Sequence, residues 1–442
     1  MLRTIDLRGR AFTPAELLAA VPRATAAREE ALATAATLVA DVAARGEDAL
    51  REQAARFDGA SGHSIRVPAA HLDEALAGLD PRIRAALEEA IARVRQASAA
   101  QVPPPTATEI GPGAVVRQRW QPVRRVGLYV PGGKAVYPSS VVMNVVPAQV
   151  AGVSEVALAS PPQRAHGGRV HPVILAAARL LGVDEVYAMG GAGAIGAFAF
   201  GVESLGLDPV DVVTGPGNNF VAAAKRAVAG VVGTDAEAGA TEILIVADDT
   251  ADPRLVAADL ISQAEHDEQA SAVLVTASEA LAAAVSEEIA PRAARTRHAE
   301  RVAAALTGPQ SAIVLVDDLE AATAFSNAYA PEHLELHLAD ANPDAFVHAG
   351  AVFVGPDSPV SLGDYLAGSN HVLPTGGQAR YAAGLSAATF LRPQQVIEYD
   401  RAALAEVREG VVTLAQAEDL PAHGEAVEAR FALRQDQEPR TD

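Results

Sequence analysis

The stretch EVALASPPQRAHGGRVHPVILAAARLLGVDEVYAM, residues 155–189, decides the predicted fold of this chain. It contains an apolar run at Glu155–Ala159, an Ala-rich stretch of helical length at Val170–Leu181 and a second apolar run at Glu185–Met189. Continuous apolar strands that alternate with helices are typical of a parallel sheet covered on both faces. The segment therefore predicts a strand–helix–strand unit, and with it an α/β fold.

The same alternation extends along most of the chain. Further strands are predicted at Ala114–Gln118, Val126–Val130, Val210–Val213, Ile243–Ala247, Ala272–Val275, Ala312–Val316 and Ala351–Val354. Further helices are predicted at Ala24–Phe57 (broken near Gly46), His71–Ala100, Phe220–Val228 and Pro253–His266. This number of strands is large for one open sheet. We therefore predict two Rossmann-like α/β domains, one inserted into the other.

The expected domain organisation follows from where the pattern breaks. It consists of an N-terminal segment (1–22), a first α/β domain (23–128 and 241–385) with an N-terminal helical part, an inserted second α/β domain (129–240) and a C-terminal helical tail (386–442). The tail is expected to be helical because the strand signal fades into Glu- and Ala-rich sequence beyond about residue 385.

Composition narrows the class of protein. A formal net charge of −20 and an aromatic content of 4% argue against nucleic acid or an anionic membrane as the main partner. The chain contains no cysteine, so a metal would have to be held by His, Asp, Glu, Gln or Asn. No signal peptide and no run of ~20 apolar residues is recognisable, and a cytoplasmic enzyme is therefore expected.

Glycine clusters follow several predicted strands. They are YVPGGK (129–134), GGAGAIGAFAFG (190–201) and TGPGNNF (214–220). Glycines at a strand-to-helix turn let backbone N–H groups face an anion such as a dinucleotide phosphate. Gly191, Gly193 and Gly196 have the G-x-G-x-x-G spacing, but no acidic residue follows at the usual place, so the usual dinucleotide fingerprint is lacking. Close packing of helices explains these glycines equally well, and Asn218 is either a ribose or phosphate ligand or a helix N-cap.

Candidate metal ligands are scattered over three segments. Gln263 and His266, in DLISQAEHDE (259–268), share one helical face, although a polar helix end explains them as well. SLGDYLAGSNHVLPT (361–375) contributes Asp364 and His371, and the last helical region contributes Glu418 and His423. Nitrogen and oxygen donors from distant segments suit a catalytic zinc whose coordination the substrate completes, provided the fold brings them together.

The candidate acid–base pair is Glu332–His333, in NAYAPEHLELHL (327–338). A histidine can accept the proton of an alcohol as hydride leaves, and a carboxylate can activate water. We expect the pair at a strand mouth, where α/β enzymes place their chemistry. Adjacent residues of a strand point to opposite faces, so joint action needs an irregular backbone, which Pro331 favours. His337 is an alternative candidate for the base. A third interpretation is that these polar residues only mark an edge strand.

Five motifs, in order along the chain, together resemble the histidinol dehydrogenase family. They are VGLYVPGGKAVYPSSVVMNVVPA (126–148), GPGNNFV (215–221), DLISQAEHD (259–267), YAPEHLEL (329–336) and GDYLAGSNHVLPT (363–375). The resemblance covers about residues 25 to 425. It implies a homodimeric, zinc-dependent enzyme that oxidises L-histidinol through L-histidinal to L-histidine with two NAD, the last steps of histidine biosynthesis.

The resemblance also implies a role for individual residues. Matching positions give Gln263, His266, Asp364 and His423 as zinc ligands, with His423 supplied by the other subunit through the tail. His333 would be the general base of both oxidations, and Glu332 would activate the water that attacks the aldehyde. The matching substrate-site positions are Thr241, Gln263, His266, His333, Asp364, His371, Glu418 and His423. Tyr129, Asn218 and position 193 match NAD contacts.

The chain departs from the family pattern at two places. Gly193 stands where the family usually has a glutamine that touches the dinucleotide, which weakens the expected NAD contacts. In GATE (239–242) the proline of the family's pattern is lost, although Thr241 keeps the hydroxyl. Two rival functions remain: a paralogue that oxidises another polar alcohol, such as a sulfonated diol, and a zinc- or nucleotide-binding regulatory protein without turnover. A hydrolase is disfavoured by the lack of a Gly-x-Ser-x-Gly elbow and of a cysteine nucleophile.

Overall fold

The structure is a computed structural model, and it describes residues 2–9, 11–23, 28–132, 136–236 and 239–432. Gly133 and Lys134 of the first glycine cluster lie outside the described residues, as do Ala24, where the first predicted helix begins, and residues 433–442 of the predicted tail.

Fourteen strands are present in this part of the chain. They are β1 (Arg3–Asp6), β2 (Thr106–Gly111), β3 (Ala114–Pro122), β4 (Arg125–Tyr129), β5 (Glu155–Ser160), β6 (Glu185–Ala188), β7 (Val212–Thr214), β8 (Gly233–Thr234), β9 (Glu242–Ala247), β10 (Ser271–Thr276), β11 (Ala312–Leu315), β12 (His333–His337), β13 (Ala351–Val354) and β14 (Leu391–Tyr399).

Sixteen α-helices accompany the strands over the described ranges. They are α1 (Pro14–Ala20), α2 (Arg28–Arg45), α3 (Glu47–Gln53), α4 (Ala69–Ala77), α5 (Pro81–Ala100), α6 (Pro138–Ala151), α7 (Pro172–Leu180), α8 (Gly191–Phe200), α9 (Asn219–Ala227), α10 (Pro253–Ala264), α11 (Glu279–Ala293), α12 (Ala299–Thr307), α13 (Leu319–Tyr329), α14 (Val360–Tyr365), α15 (Arg401–Ala417) and α16 (Pro421–Ala432). None of these helices combines the length and the apolar character that a membrane crossing requires.

Two parallel sheets confirm the predicted α/β class. The larger has the order β1-β11-β10-β9-β12-β13 and the smaller the order β6-β5-β4-β7-β8. In each sheet the chain starts in a middle strand (β9 or β4), adds the next two strands on one side and then the last two on the other. This is the order of a doubly wound sheet, in which the chain reverses direction beside the first strand. The larger sheet gains one more parallel strand, because β1 pairs with its edge strand β11.

Helices α2 and α3 pack on the smaller sheet's side, although the sequence assigned them to the domain of the larger sheet. Their buried residues, such as Ala35 and Val39, belong to one core cluster with Ile195 and Phe198 of α8. Gly196 makes this approach possible, because a Cβ there would lie 3.2 Å from the backbone Cα of Val39. Of the two interpretations of this glycine, anion binding and close helix packing, the structure therefore displays the second.

The contacts between residues divide the chain into two units: residues 1–102 with 123–390, and residues 103–122 with 391–442. The second unit consists of the antiparallel sheet β14-β3-β2 and the helices α15 and α16. The tail is thus not wholly helical. Strand β14 escaped the sequence analysis because it is polar, contains Pro393 and is mostly exposed, so that it has no apolar periodicity to detect.

Candidate active site

The predicted acid–base pair lies at the amino ends of two neighbouring strands of the larger sheet. His333 begins β12 and pairs with Ile243 of β9, while Glu332 precedes the strand. The pair thus lies where the chain enters β12, at the mouth of that strand. Helix α13 stops at Ala330, which has a left-handed backbone (φ 49°), and the chain enters β12 almost at once. Because Glu332 lies outside the strand, the alternation of strand faces does not separate it from His333.

Glu332 is a buried carboxylate with one oxygen fixed by hydrogen bonds. Its Oε2 accepts from the hydroxyl of Thr241 (2.5 Å) and from the backbone N–H of Glu242 (2.9 Å). Burial raises the pKa of Glu332 to about 8, although both hydrogen bonds favour the ionised form. The geometry leaves Oε1 as the oxygen that can act on a water molecule.

His333 is held in one orientation by the main chain. Its Nδ1 lies 3.1 Å from the carbonyl oxygen of Glu242 and 3.5 Å from Oε2 of Glu332. Burial lowers the pKa of His333 below its usual value, against the charge of Asp364, so the ring is neutral at pH 7. Since a carbonyl oxygen can only accept a hydrogen bond, Nδ1 carries the ring proton and donates a hydrogen bond to the backbone carbonyl of Glu242. The lone pair is then on Nε2, which is the atom able to accept a proton.

The predicted zinc ligands of the first unit meet at the same edge of the sheet. Gln263, near the end of α10, is 1% exposed and donates through Nε2 to Thr241 Oγ1, so its amide oxygen is left for another partner. Just beyond α10, Nε2 of His266 lies 3.9 Å from Oδ2 of Asp364 on α14. Thr241, predicted to contact substrate, joins a candidate metal ligand to the acid–base carboxylate.

His371 completes this polar group from the loop after α14. Its Nδ1 donates to the backbone carbonyl of Asp364 (3.0 Å), and its Nε2 therefore accepts from the hydroxyl of Ser140 (3.0 Å). Burial lowers the pKa of His371, so the ring is neutral. Ser140 lies in the first turn of α6, directly after β4. The contact joins the helix that follows β4 to the loop that follows α14.

The carboxyl edge of the smaller sheet contains the positions predicted to contact NAD. The hydroxyl of Tyr129 accepts from the backbone N–H of Gly191, at the start of α8 (3.2 Å). Gly215, with φ +120°, lies so close to Tyr129 that a Cβ would meet its carbonyl oxygen at 1.9 Å, so this turn requires glycine. Asn218 caps α9 by accepting from the N–H groups of Phe220 and Val221, which is the alternative that the sequence left open.

Gly193 is buried in the first turn of α8 rather than lining an open groove. A Cβ at this position would lie 2.4 Å from the side-chain oxygen of Gln53 and 3.2 Å from Leu50. Gln53 is itself buried and donates to the carbonyl of Leu38. Because position 193 has no side chain, Gln53 of α3 fills the space beside it.

Glu418 and His423 lie in the second unit, and both are exposed in the single chain. Glu418 ends α15, and His423 lies in the first turn of α16. The remaining rival, His337, is buried at the end of β12, where it lies near Asp259 and Glu335. These three residues form a candidate metal-binding group separate from the predicted ligands.

Sequence reasoning missed the residues beneath the acid–base pair. Glu242 is buried, and burial raises its pKa; its Oε1 pairs with Nε of Arg23 at 2.6 Å. Arg23 also lies 4.0 Å above the ring of Tyr329, at the end of α13. Arg23 and Glu242 are 219 positions apart, so no local pattern could have paired them. The GATE motif, which ends at Glu242, was a partial signal.

Comparisons with known proteins agree with the resemblance drawn from the motifs. The family model described as histidinol dehydrogenase matches residues 21–431. The histidinol dehydrogenase of Leifsonia xyli subsp. xyli is 66% identical over 435 residues, which cover 98% of this chain and 100% of that protein. The histidinol dehydrogenase of Mycobacterium tuberculosis is 60% identical over 436 residues, 98% of each chain.

A solved structure extends the agreement to the fold. The crystal structure of histidinol dehydrogenase from Elizabethkingia anophelis matches with a TM-score of 0.89 and 32% identity, over 98% of this chain and 99% of that chain. Sequence and fold therefore agree over nearly the full length, and the chain belongs to the histidinol dehydrogenase family.

Proposed function

We propose that the chain oxidises L-histidinol through L-histidinal to L-histidine, the last steps of histidine biosynthesis, with NAD as hydride acceptor and zinc as a substrate-binding metal. One observation carries the proposal: His333 is neutral, and its Nε2 is free to take a proton. Its other ring nitrogen, Nδ1, lies 3.5 Å from Oε2 of Glu332. Two successive oxidations of one carbon need a base for the alcohol and a base for water, and the pair supplies both.

The donor set of the cleft fits zinc. Gln263 offers an amide oxygen, His266 an imidazole and Asp364 a carboxylate, and Nε2 of His266 lies 3.9 Å from Oδ2 of Asp364. Nitrogen and oxygen ligands with an open position are typical of a catalytic zinc. Zinc held there would orient the substrate as a Lewis acid. His371, neutral and fixed by Asp364 and Ser140, would lie on the substrate's side of this set.

The acid–base steps follow from the two fixed orientations. In the first oxidation His333 Nε2 accepts the hydroxyl proton of the alcohol while hydride leaves its carbon. Glu332 Oε1 then takes a proton from the water that adds to the aldehyde, and His333 again serves as base when the hydrate loses its second hydride. Burial of both groups keeps bulk water away from the reacting carbon.

The carboxyl edge of the smaller sheet fits a dinucleotide. Backbone N–H groups at the start of α8 and the tight turn at Gly215 suit an anionic group close to the main chain. NAD bound at this edge would accept the hydride from the substrate. Tyr129 and Asn218 are the proposed side-chain contacts, whereas Gly193 would contribute backbone only.

The homodimer with shared active sites is part of the same proposal. Glu418 and His423 are exposed in the single chain, as expected of residues that act on another subunit. In the assembled enzyme, His423 of the partner subunit would be the fourth zinc ligand. The predicted cytoplasmic location stays a prediction.

Mixed dimers test the sharing of sites. We expect two inactive variants, His333→Asn and His423→Ala, to regain about one quarter of wild-type activity when co-expressed, because half of the dimers are mixed and each has one intact site. The measurement is NADH formation by the purified mixture. If each site uses its own subunit's His423, no activity returns. The same two variants mixed only after purification, without subunit exchange, are the control.

The pH dependence of the second oxidation tests the role of Glu332. Since the pKa of Glu332 is raised to about 8, the ionised fraction that activates water grows as the pH rises towards that value. With the aldehyde supplied, we expect the rate to increase between neutral pH and pH ~8, and Glu332→Gln to lower it by about 10²–10⁴-fold. An equally active Glu332→Gln variant with the same pH profile would contradict the assignment.

Substrate comparison separates histidinol from the rival alcohols. Turnover of L-histidinol should exceed that of a sulfonated diol under equal conditions, measured as NADH formed. The reverse preference would identify a paralogue with the same chemistry. Zinc and NAD binding without turnover of any alcohol would favour a regulatory protein.

A further inference from the structure

A buried polar cluster lies on the same face of β12 as His333. It consists of Glu335 and His337 of β12 and Asp259 of α10, whose charged or ligating atoms lie within 4.8 Å of one another. Nε2 of His337 is 3.4 Å from Oε2 of Glu335 and 3.9 Å from Oδ2 of Asp259. Glu335 is 1% exposed. The acid–base steps use none of these three residues.

The cluster is costly in a sheet that is otherwise apolar. Glu335 is flanked by Ile245 of β9 and Phe353 of β13, so an aliphatic side chain would fit its surroundings. Burial, followed by the neighbouring Glu335, raises the pKa of Asp259 to about 7. Replacing a buried polar group by a well-packed apolar one is often neutral or stabilising. Its presence here therefore needs an explanation other than the stability of the fold.

Glu335 contacts the helix that contributes Asp364. Its Oε1 accepts from the backbone N–H of Val360, the first residue of α14, at 2.7 Å. The residue before the helix is Pro359, which offers no side-chain cap, so Glu335 supplies the missing acceptor. Asp364 lies four residues after Val360 and so on the same side of the helix. The hydrogen bond thus fixes the start of the short helix from which Asp364 projects one turn later.

Asp259 connects the cluster to the helix that contains Gln263 and is followed by His266. It lies four residues before Gln263 on α10, one turn away on the same face. Its approach to Glu335 and His337 connects α10 to β12. The same strand begins with His333, two residues before Glu335. One polar cluster therefore touches α10, which contains Gln263 and leads to His266, and α14, which contains Asp364, together with the strand of the base.

We propose that Glu335, assisted by Asp259 and His337, is a positioning residue of the metal site. It holds α10, β12 and α14 in the arrangement that brings Gln263, His266 and Asp364 together. This inference rests on the proposed function, because it takes those three residues as zinc ligands.

Zinc affinity of Glu335 variants tests the proposal. We expect Glu335→Ala to weaken zinc binding by about 10–100-fold, the usual effect of removing a group that orients metal ligands. Glu335→Gln should keep affinity within a few-fold of wild type, because its amide oxygen still accepts from Val360. The dissociation constant is measured by competition with a chromogenic chelator, far below the unfolding temperature. Asp259→Asn, of nearly unchanged size, serves if Glu335→Ala does not fold, and should also weaken binding.

The controls separate positioning from a purely structural role. Ser326→Ala removes a buried hydroxyl that has no hydrogen-bond partner among the described residues and should leave zinc affinity unchanged. If Glu335→Ala lowers only the unfolding free energy and the folded protein binds zinc as wild type does, the proposal is wrong. It is also wrong if wild type binds a second metal equivalent that Asp259→Asn loses, since the cluster would then itself be a metal site. His266→Ala identifies the other failure: if it leaves zinc binding intact, the ligand assignment fails, whatever Glu335 does.

Discussion

Replacing His333 with asparagine is expected to lower NADH formation from histidinol by about 10²–10⁴-fold, the usual contribution of a general base. Asparagine is close in size to the near half of the imidazole and can still donate to the carbonyl of Glu242, which Nδ1 of His333 approaches at 3.1 Å. It has no lone pair at the position of Nε2, so the proton of the alcohol has no acceptor. Zinc should remain bound, because His333 is not among the proposed ligands.

The control for this variant is His348→Asn. His348 is half-buried, its Nδ1 contacts the main chain of Asn327, and it has no proposed role in the reaction, so this variant should keep wild-type turnover. Kinetics and zinc content are measured on the same samples. Loss of zinc from His333→Asn would show that the residue supports the metal site, and the assignment as a base would fail.

Replacing His266 with alanine should remove a ligand and with it most of the zinc. The side chain follows α10, where its Nε2 lies 3.9 Å from the Asp364 carboxylate. Because a ligand is lost rather than a group behind it, zinc affinity should fall by more than the ~10–100-fold typical of outer partners. Zinc per chain is measured by elemental analysis after dialysis, and affinity by chelator competition.

A matched histidine variant shows whether the loss is specific. His298 precedes α12 and makes no side-chain capping bond, so His298→Ala should retain the metal. Unchanged zinc content in His266→Ala would rule out this ligand set and would direct attention to the Asp259, Glu335 and His337 group.

The parallel sheets were predictable because most of their strands are short continuous runs of apolar residues. Runs such as Glu155–Ser160 and Glu242–Ala247 are apolar on both faces, and helices cover them. Both glycine readings were also accessible: Gly215 is required by its turn and Gly196 by helix packing. The hydrophobic pattern could not show against which sheet α2 and α3 pack, since their apolar stripe would suit either one.

The candidate site was predictable in its members and not in its geometry. The motifs pointed to Glu332, His333, Gln263 and His266, but they contain no sign of the hydrogen bonds that orient these side chains, such as that from Thr241 to Glu332. The contact of Arg23 with Glu242 and that of Glu335 with Val360 join distant positions, and a single sequence contains no record of such pairings. Strand β14 was missed because its pairing with β3, not its own composition, makes it a strand.

The proposed reaction is a four-electron oxidation of histidinol that depends on a metal. Its most direct test is the amount of NADH formed per histidinol consumed to completion, measured with and without a strong chelator. We expect a ratio of about two, since an alcohol must lose two hydrides to become an acid, and no NADH after chelation until zinc is restored. A ratio of about one, or full activity in the chelated enzyme, would contradict it.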